Sequence, residues 1–465
     1  MHVYNLKRMP KTVFRAYDIR GIIGKELDED AFYTVGKAVA SELIALDKTG
    51  ICIGRDARLT SASLAKALTQ GLIDSGIDVF DLGEIPSPIM YYATKTSGVD
   101  SGLMVTGSHN PAEYNGIKMV IAGKTLVESD ITRLYERVQS QNFQQRTSPG
   151  MVVDFPITEK YAARIKSDIS LKRKLKVVVD CGNGVAGPII PPVLEALGCE
   201  VIPLYCEVDG RFPNHHPDPT VEANLQDLIA AVKEHGADAG FGFDGDADRL
   251  GVVTNLGEII WPDRLMMLYA KHILADTPNA TIVYDVKCSS HLADVITKSN
   301  GKARMSPTGH SIVKGIMQQE DAVLAGEMSG HIFFKHRWYG FDDALYSACR
   351  LLEIMSFTDE TLSEIFQAIP NSVNTPEIKI PIVEEEKFDF MARFAEMAKF
   401  DDAECIRIDG LRVEFPHGWG LIRASNTTPC LVARFEAESS EALDKIQARF
   451  KHALQSVDDK LPVPF

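Results

Sequence analysis

The chain has 465 residues, of which 45% are hydrophobic and 24% charged, and its formal net charge is −15. This length exceeds one hydrophobic core, so about three or four domains are expected, and the composition is that of a globular protein. The acidic balance excludes the basic surface of a nucleic-acid-binding protein, although a locally basic cleft can still bind an anionic substrate.

The chain shows no signal for a membrane or a secretory route. No apolar run approaches the ~20 residues that cross a bilayer, and Lys7 and Arg8 are not followed by the apolar segment of a signal peptide. The eight cysteines are scattered and contain no C-x-x-C pair, which is typical of reduced thiols. We therefore expect a cytoplasmic protein that binds neither a membrane nor a nucleic acid.

One unit of strand, polar or Gly-rich loop, helix and strand is predicted three times along the chain. The units are Ile51–Leu82, Lys176–Leu204 and Thr281–Lys302, with helices near 61–76, 188–197 and 290–298. They share no sequence identity, so the repeat is one of pattern alone. Alternation of this kind predicts an α/β fold.

The predicted architecture is three similar α/β domains with mixed sheets, followed by a smaller α+β domain. The pattern changes after Pro370, where a Glu-rich stretch at Glu384–Glu386 precedes shorter strand signals. The predicted domains are residues 1–154, 155–257, 258–369 and 370–465.

The segment Val105-Thr-Gly-Ser-His-Asn-Pro111 carries the densest set of reactive side chains. Its glycine permits a sharp turn and its proline stops a helix from continuing through the loop. Ser108 is thereby displayed beside His109, and Lys118 follows closely enough to neutralise the roughly −1.5 to −2 charge of a phosphoserine. The segment is not a G-x-S-x-G nucleophile elbow, because Asn110 stands at the last glycine. Taken alone, it could also be a plain Asn-Pro turn.

Three carboxylates alternate in a second loop, at Asp244, Asp246 and Asp248. In an extended loop this spacing turns all three to one side, where a hard cation such as Mg²⁺ or Ca²⁺ would stabilise them. An EF-hand is excluded, because its required Gly and Glu are replaced by Arg249 and Asn255. Three protein ligands also leave coordination positions free for a phosphoryl group.

Two later loops combine groups that suit a sugar phosphate. The carboxylate and hydroxyl of Gly326-Glu-Met-Ser-Gly-His331 match a pair of adjacent sugar hydroxyls. The guanidinium, hydroxyls and amides of Arg423-Ala-Ser-Asn-Thr-Thr-Pro429 describe a phosphate cradle, with a capped turn before a strand as the alternative. Further polar candidates in other loops are Tyr17, Arg20, Lys287 and His310.

The stretch Gly182-Asn-Gly-Val-Ala-Gly187 matches the dinucleotide-binding pattern G-x-G-x-x-G. We do not interpret it so, because prolines between residues 188 and 192 delay the following helix. A dehydrogenase would also leave the acidic and serine loops without a role.

These loops, in this order, resemble those of the α-D-phosphohexomutase family. Further segments resemble its bacterial phosphomannomutase/phosphoglucomutase branch, namely Phe14-Arg-Ala-Tyr-Asp-Ile-Arg-Gly21, Gly210-Arg-Phe-Pro-Asn-His-His-Pro217 and Thr308-Gly-His310. The resemblance covers nearly the whole chain and implies four domains around a central cleft. One departure is Ala247, where the family usually has glycine.

Position by position, the resemblance implies roles for the residues of each loop. Ser108 would carry the phosphoryl group and, with Asp244, Asp246 and Asp248, ligate the metal. Glu327 and Ser329 would bind sugar hydroxyls, and Arg423, Ser425, Asn426 and Thr427 would bind the phosphate that does not react. The catalytic candidates are Ser108, His109, Lys118, Arg20, Arg249 and His331, and the acid/base role is open among His331, His109, Lys118 and Arg20. Further substrate-binding candidates are Tyr17, Lys287, His310 and Met328.

The activity implied by the resemblance is reversible interconversion of the 1- and 6-phosphates of mannose and glucose. It would proceed through a phosphoserine enzyme and a hexose 1,6-bisphosphate, with one Mg²⁺ per chain and glucose 1,6-bisphosphate as activator. Met328 resembles the dual-specificity branch, whereas phosphoglucosamine mutases typically carry Gln there. A phosphoglucosamine mutase and a non-catalytic phosphosugar-binding protein are the alternatives. The expected partners are hexose phosphates, and the expected state is a monomer.

Overall fold

The computed structural model describes residues 3–425 and 428–465. Its strands form four sheets, and each sheet is built from strands that are consecutive in the chain. The predicted α/β class, with mixed sheets in the earlier domains and a smaller C-terminal domain, is confirmed.

The first sheet has the strand order β1-β5-β4-β2-β3-β7, with β6 paired to β5. Its strands are β1 (Ile19–Ile22), β2 (Gly50–Arg55), β3 (Asp78–Glu84), β4 (Gly102–Val105), β5 (Tyr114–Ile121), β6 (Lys124–Thr125) and β7 (Val152–Asp154). The helices of this region are α1 (Glu29–Ala45), α2 (Ser61–Ile73), α3 (Ser87–Thr96) and α4 (Glu128–Ser140). Strands β4, β2, β3 and β7 run parallel, whereas β5 is antiparallel to β4 and β1.

The second sheet has the order β12-β11-β10-β8-β9. Its strands are β8 (Lys176–Asp180), β9 (Glu200–Leu204), β10 (Ala239–Phe243), β11 (Leu250–Thr254) and β12 (Ile259–Ile260). The accompanying helices are α5 (Thr158–Asp168), α6 (Ile190–Ala196) and α7 (Gln226–His235). Strand β12 lies beyond the predicted domain boundary at residue 257 and pairs with β11, so we propose that this domain continues through Ile260.

The third sheet has the order β14-β13-β15-β16. Its strands are β13 (Thr281–Asp285), β14 (Lys302–Ser306), β15 (Leu324–Gly326) and β16 (Ile332–Phe334). The helices are α8 (Pro262–Asp276), α9 (Ser290–Lys298), α10 (His310–Gln319), α11 (Ala344–Ser356) and α12 (Leu362–Gln367).

The fourth sheet is antiparallel and has the order β17-β22-β21-β20-β19, with β18 also paired to β22. Its strands are β17 (Val373–Asn374), β18 (Ile378–Pro381), β19 (Glu404–Ile406), β20 (Leu411–Phe415), β21 (Gly418–Ala424) and β22 (Cys430–Ala437). The helices are α13 (Lys387–Met397) and α14 (Ser440–Val457), and two 3₁₀ turns elsewhere span Lys11–Val13 and Glu222–Leu225.

Side-chain caps fix where several helices begin. The carboxylate of Asp28 accepts the Ala31 N–H at the start of α1, and Ser439 caps α14 in the same way. By contrast, α6 begins only at Ile190, and Pro188 and Ile189 separate it from the glycine-rich loop. That loop therefore lacks a helix N-terminus directly behind it.

The first three sheets share one connection. In each, a parallel strand is followed by an antiparallel neighbour, in the pairs β4 and β5, β10 and β11, and β15 and β16. The serine loop, the acidic loop and the loop at residues 327–331 are these three connections. The predicted phosphate loop joins the antiparallel pair β21 and β22. The first three loops thus arise at equivalent turns, and the fourth at a turn of an antiparallel sheet.

The apolar core divides unequally. One cluster runs without interruption from Met90 on α3 through Phe241 on β10 to Tyr346 on α11. The fourth sheet has a separate core, in which Phe394, Phe435 and Phe450 pack together. Among the residues that the structure describes, every helix is too short or too polar to cross a bilayer.

Candidate active site

The serine loop and the acidic loop meet at one hydrogen bond. Ser108 Oγ donates to Asp244 Oδ2 at 3.0 Å and lies 3.3 Å from His109 Nδ1. Ser108 is buried and has a φ of +49°, a left-handed conformation that is uncommon for a residue with a Cβ. Backbone in this region persists only where surrounding contacts hold it, and such residues cluster at functional sites.

Arg58, which sequence reasoning did not single out, holds the serine loop in this conformation. Its guanidinium donates to the carbonyl oxygens of Ser108 at 2.8 Å and Asn110 at 2.5 Å. Its Nε lies 3.2 Å from Asp56, whose carboxylate also accepts the Gly107 N–H at 3.1 Å. The available signal was a charged run directly after β2, but only the pairing of β2 with β4 brings it beside the serine loop.

The acidic loop folds back on its own first carboxylate. Asp244 Oδ1 accepts the backbone N–H groups of Asp248 at 3.0 Å and Arg249 at 3.1 Å. Ala247 has a φ of +57°, a value that glycine adopts at lower cost. Asp244, Asp246 and Asp248 are all fully buried, and one oxygen of each lies within 4.8 Å of the others.

Lys118 is the counter-charge for this cluster. Its Nζ donates to Asp246 Oδ2 at 2.6 Å and also to Asp248. Burial and the charge of Asp246 raise the pKa of Asp244 well above its ordinary value. Burial opposes ionisation of Asp246, yet Lys118 lowers that pKa below its ordinary value. When ionised, the three carboxylates outnumber the cations of Lys118 and Arg249, whose Nε lies 4.0 Å from Asp244, so the cluster can then attract a further cation.

A hard divalent cation fits these ligands. Asp246 Oδ1 and Asp248 Oδ1 are buried and have no hydrogen-bond partner among the described residues. Ser87, at the start of α3, donates to the other oxygen of Asp246 and fixes the orientation of that carboxylate. Because the donors are all oxygen, the cluster can hold Mg²⁺ or Ca²⁺.

Arg20 contacts the serine loop directly, and Arg249 acts on its histidine through charge. Arg20 donates to Gly107 O at 3.0 Å and to the Asn110 side chain, and it pairs with Asp18 at 2.5 Å. Desolvation, Arg249 and Arg20 lower the pKa of His109 well below its ordinary value, so its imidazole is neutral at pH 7.

His331 joins the acidic loop to the third domain. Arg249 Nε donates to His331 Nε2 at 3.1 Å, and a backbone bridge links the same two residues. His331 Nδ1 lies 3.1 Å from Asp342, which also accepts from Lys314 at 2.9 Å. Burial and Lys314 lower the pKa of His310, which stacks on His331, to about 4. Sequence reasoning missed Asp342 and Lys314, because neither lies in a recognisable motif.

The predicted sugar loop presents an available carboxylate oxygen. Glu327 is buried, its Oε1 accepts the Gly309 N–H at 2.7 Å, and its Oε2 has no partner among the described residues. Burial raises the pKa of Glu327. Met328 N–H donates to Asp285 at 3.3 Å, and Ser329 beside it is half-buried.

The predicted phosphate loop places a guanidinium with a free donor. Arg423 Nε donates to Asp409 at 2.9 Å, whereas its buried Nη2 has no partner among the described residues. Ser425 Oγ lies 2.8 Å from Thr428 Oγ1. Asn426 and Thr427, predicted as part of this cradle, lie outside the described residues.

Two further predicted contacts lie between these loops. Lys287 Nζ donates to Glu377 at 2.5 Å. Burial lowers the pKa of Lys287, but the charges of Glu377 and Asp285 outweigh this effect and raise it above its ordinary value. The ring of Tyr17 packs edge-on against His310 at 5.0 Å, and burial and Asp18 raise the pKa of Tyr17 to about 12.

Models of one family match the chain in four consecutive parts. They are described as phosphoglucomutase/phosphomannomutase alpha/beta/alpha domain I at residues 11–145, domain II at 158–257, domain III at 261–373 and the C-terminal domain at 377–453.

Relatives of known name match over almost the whole length. The chain is 50% identical to a phosphomannomutase/phosphoglucomutase of Pseudomonas aeruginosa, over 98% of both chains. It is 47% identical to a phosphoglucomutase of Neisseria meningitidis, over 97% of this chain and 98% of that one. A crystal structure of a phosphoglucomutase/phosphomannomutase family protein from Burkholderia thailandensis superposes with a TM-score of 0.93 and 46% identity, over 98% and 100% of the two chains.

Proposed function

The chain belongs to the phosphoglucomutase/phosphomannomutase family, and we propose that it interconverts hexose 1-phosphates and hexose 6-phosphates, those of mannose and glucose. The reaction would use phospho-Ser108 and a hexose 1,6-bisphosphate intermediate. The observation that carries the proposal is the 3.0 Å hydrogen bond from the strained, buried Ser108 hydroxyl to Asp244 in the carboxylate cluster.

Asp244, Asp246 and Asp248 would hold one Mg²⁺ per chain, with an oxygen of phospho-Ser108 as a further ligand. When bound, Mg²⁺ would neutralise charge on the transferring phosphoryl group. Lys118 already contacts two of these carboxylates, so its ammonium lies where phosphoryl oxygens need positive charge. Arg20, which donates to the serine loop, and Arg249 would stabilise the same group.

Proton transfer to and from the sugar hydroxyl is assigned to His331. Its Nδ1 lies 3.1 Å from Asp342 Oδ2, and its Nε2 accepts from Arg249, a contact that the substrate would replace before the ring acts on the sugar hydroxyl. His109, at 3.3 Å from the Ser108 hydroxyl, would orient that hydroxyl before phosphorylation.

The sugar and its second phosphate would be held by the other two loops. Glu327 has an unpartnered oxygen for adjacent sugar hydroxyls, with Ser329 and Met328 beside it. Glucose and mannose share the 3- and 4-hydroxyls and differ at C2, so a site that reads the shared pair accepts both. The distal phosphate would bind Arg423, Ser425, Asn426 and Thr427, and the remaining contacts would come from Tyr17, Lys287 and His310.

Both orientations of the bisphosphate present a phosphate to the same cradle, so one site can serve the forward and the reverse half-reaction. Glucose 1,6-bisphosphate would act as activator by phosphorylating Ser108. We further propose that the protein acts as a cytoplasmic monomer.

The test compares the wild type with Ser108→Ala, using Ser63→Ala on the exposed face of α2 as a matched control. Each protein receives glucose 1-phosphate, Mg²⁺ and a trace of glucose 1,6-bisphosphate, and then mannose 1-phosphate. We expect 6-phosphate formation by the wild type and the control and a loss of about 10³-fold or more in Ser108→Ala, because the nucleophile is gone.

The other outcomes would contradict the proposal. Release of inorganic phosphate without isomer would indicate a phosphatase. Turnover of glucosamine phosphate alone would indicate a phosphoglucosamine mutase. Binding without any product would indicate a phosphosugar-binding protein.

A further inference from the structure

Two cysteines lie in contact next to the second sheet, outside the site described above. Cys181 directly follows β8, Cys206 follows β9, and these strands are parallel neighbours. Their Sγ atoms are 3.6 Å apart. Cys181 is fully buried, whereas Cys206 is partly exposed. The contact lowers the pKa of Cys206 and raises that of Cys181, because the Cys181 thiol can donate to a Cys206 thiolate.

The backbone between these cysteines and Ser108 is tightly packed. A Cβ on Gly187 would lie 1.9 Å from Cys206 O, so the glycine-rich loop rests directly on this cysteine. In the same loop, Val185 N–H donates to Gly245 O of the acidic loop at 3.3 Å. A Cβ on Gly245 would in turn lie 2.5 Å from Ser108 O. One close glycine contact and one backbone hydrogen bond thus connect Cys206 to the acidic loop, and a second glycine contact connects that loop to Ser108.

We propose that Cys181 and Cys206 are an oxidisable dithiol that a peroxide converts to a disulfide, and that this closure lowers turnover by displacing the acidic loop. The sulfur atoms must approach from 3.6 Å to about 2.05 Å. The strand ends must then move together, and the glycine-rich loop moves with them. The effect on turnover rests on the proposed function, whereas formation of the disulfide does not.

One molecule of hydrogen peroxide is the two-electron oxidant that forms the disulfide. The Cys206 thiolate attacks a peroxide oxygen, the O–O bond breaks, and a sulfenic acid forms with loss of hydroxide. Cys181 sulfur then attacks the Cys206 sulfur, the S–O bond breaks, and the proton of Cys181 leaves with that oxygen as water. Two thiols lose two electrons, and one hydrogen peroxide becomes two waters. A thiol reductant reverses the step by exchange.

The experiment titrates the full-length enzyme with hydrogen peroxide and follows two readouts. Mass spectrometry of a non-reduced digest detects the peptide of Cys181 linked to that of Cys206. Mutase activity is measured before and after dithiothreitol. We expect the linked peptide to accumulate in parallel with an activity loss of about tenfold or more, since small displacements of a catalytic loop are costly, and both to reverse with dithiothreitol.

Matched variants separate this effect from general oxidation. Cys206→Ser and Cys181→Ser should resist the loss, whereas Cys405→Ser, at the other partly exposed cysteine, should behave as the wild type. Absence of the linked peptide, or terminal oxidation of Cys206 without it, would overturn the dithiol. A linked peptide with unchanged activity would overturn the coupling to the acidic loop. An enzyme inactive before oxidation would instead count against the proposed function, because the linkage can still be measured.

Discussion

The first three domains and the fourth are held in place by different forces. A continuous apolar cluster joins the first three, and the first domain also has a separate apolar core of its own. The fourth contacts the third through buried charges. Arg434 donates to Asp263 at 3.1 Å, and Arg412 donates to the carbonyl oxygens of Val286 at 2.6 Å and Cys288 at 2.7 Å.

The difference matters because these forces respond differently to separation. Separating an apolar interface costs free energy in proportion to the apolar area that becomes exposed to water. Charged groups that separate are hydrated again, and this hydration offsets part of the cost. The apolar contact described between the third and fourth domains is small, with Trp419 and Leu421 against Val286. We therefore expect the fourth domain to detach before the others unfold.

The largest effect is expected when the charged contact between the third and fourth domains is broken. In Asp263→Ala the Arg434 guanidinium stays buried without its carboxylate, which should cost about 3–5 kcal/mol of docking free energy. Calorimetry should show a separate, earlier transition for the fourth domain. The matched control is Asp402→Ala, which removes an exposed ion pair with Arg449 inside the fourth domain. Equal effects of the two variants would contradict the importance of this attachment.

A comparable loss of stability is expected when a side chain is removed from the apolar cluster that the first three domains share. Leu351→Ala on α11 removes a fully buried side chain from the shared cluster and should cost about 2–5 kcal/mol. Because the cluster is continuous, the first three domains should lose stability together, with one transition displaced. Leu256→Ala, at an exposed position, should leave it unchanged. If only a third-domain transition moved, the idea of one shared core would be wrong.

The buried carboxyl group of Asp343, which lies among the apolar side chains of the third domain, should make the stability of the protein depend on pH. Asp343 accepts from Tyr161 at 2.9 Å and from Trp338 at 3.2 Å, and burial, with Asp342 adding to it, raises the pKa of Asp343 to about 7. The folded protein thus retains a proton that the unfolded chain releases above pH 4, so this contribution to stability is lost as pH rises from about 4 to about 7.

Asp343→Asn should remove that dependence. The free energy of unfolding of the variant minus that of the wild type should increase by about 2–3 kcal/mol from pH 5 to pH 8. Both values are measured by urea unfolding at each pH. Other titrating groups cancel in this difference. A constant difference across the range would show that Asp343 is ionised throughout.

The smallest expected effect concerns the contact of the fourth domain with the first. Arg15 Nη1 and Glu384 Oε1 are 3.9 Å apart, and both side chains are partly exposed. Arg15→Gln should change stability by less than about 1 kcal/mol, and added salt should abolish the change. Arg15 is the residue to change, because Glu384 also pairs with the buried Lys387 at 2.7 Å. Lys11→Gln, at an exposed position, is the control. A loss that persists in high salt would assign this contact a larger role than its geometry supports.

Local patterns predicted much of the architecture. Strands β8 and β13 and helix α9 begin and end where the pattern of apolar runs and polar loops indicated, because this pattern depends on neighbours in the chain. The delayed start of α6 also followed from its prolines. Strand β12 was placed beyond the predicted boundary, because a two-residue strand is recognisable only through its pairing with β11.

The sequence by itself determined which loops carry reactive groups, since Ser108 and the Asp244 loop stand out by residue type and spacing alone. Only the tertiary structure decided which groups surround them. Arg58, Ser87 and Asp342 reach these loops from other strands and helices, because residues distant in the chain meet only when the strands pair and the domains pack. The carboxylates that keep Lys118 charged against the effect of its burial, and the contact between Cys181 and Cys206, likewise arise only from that packing.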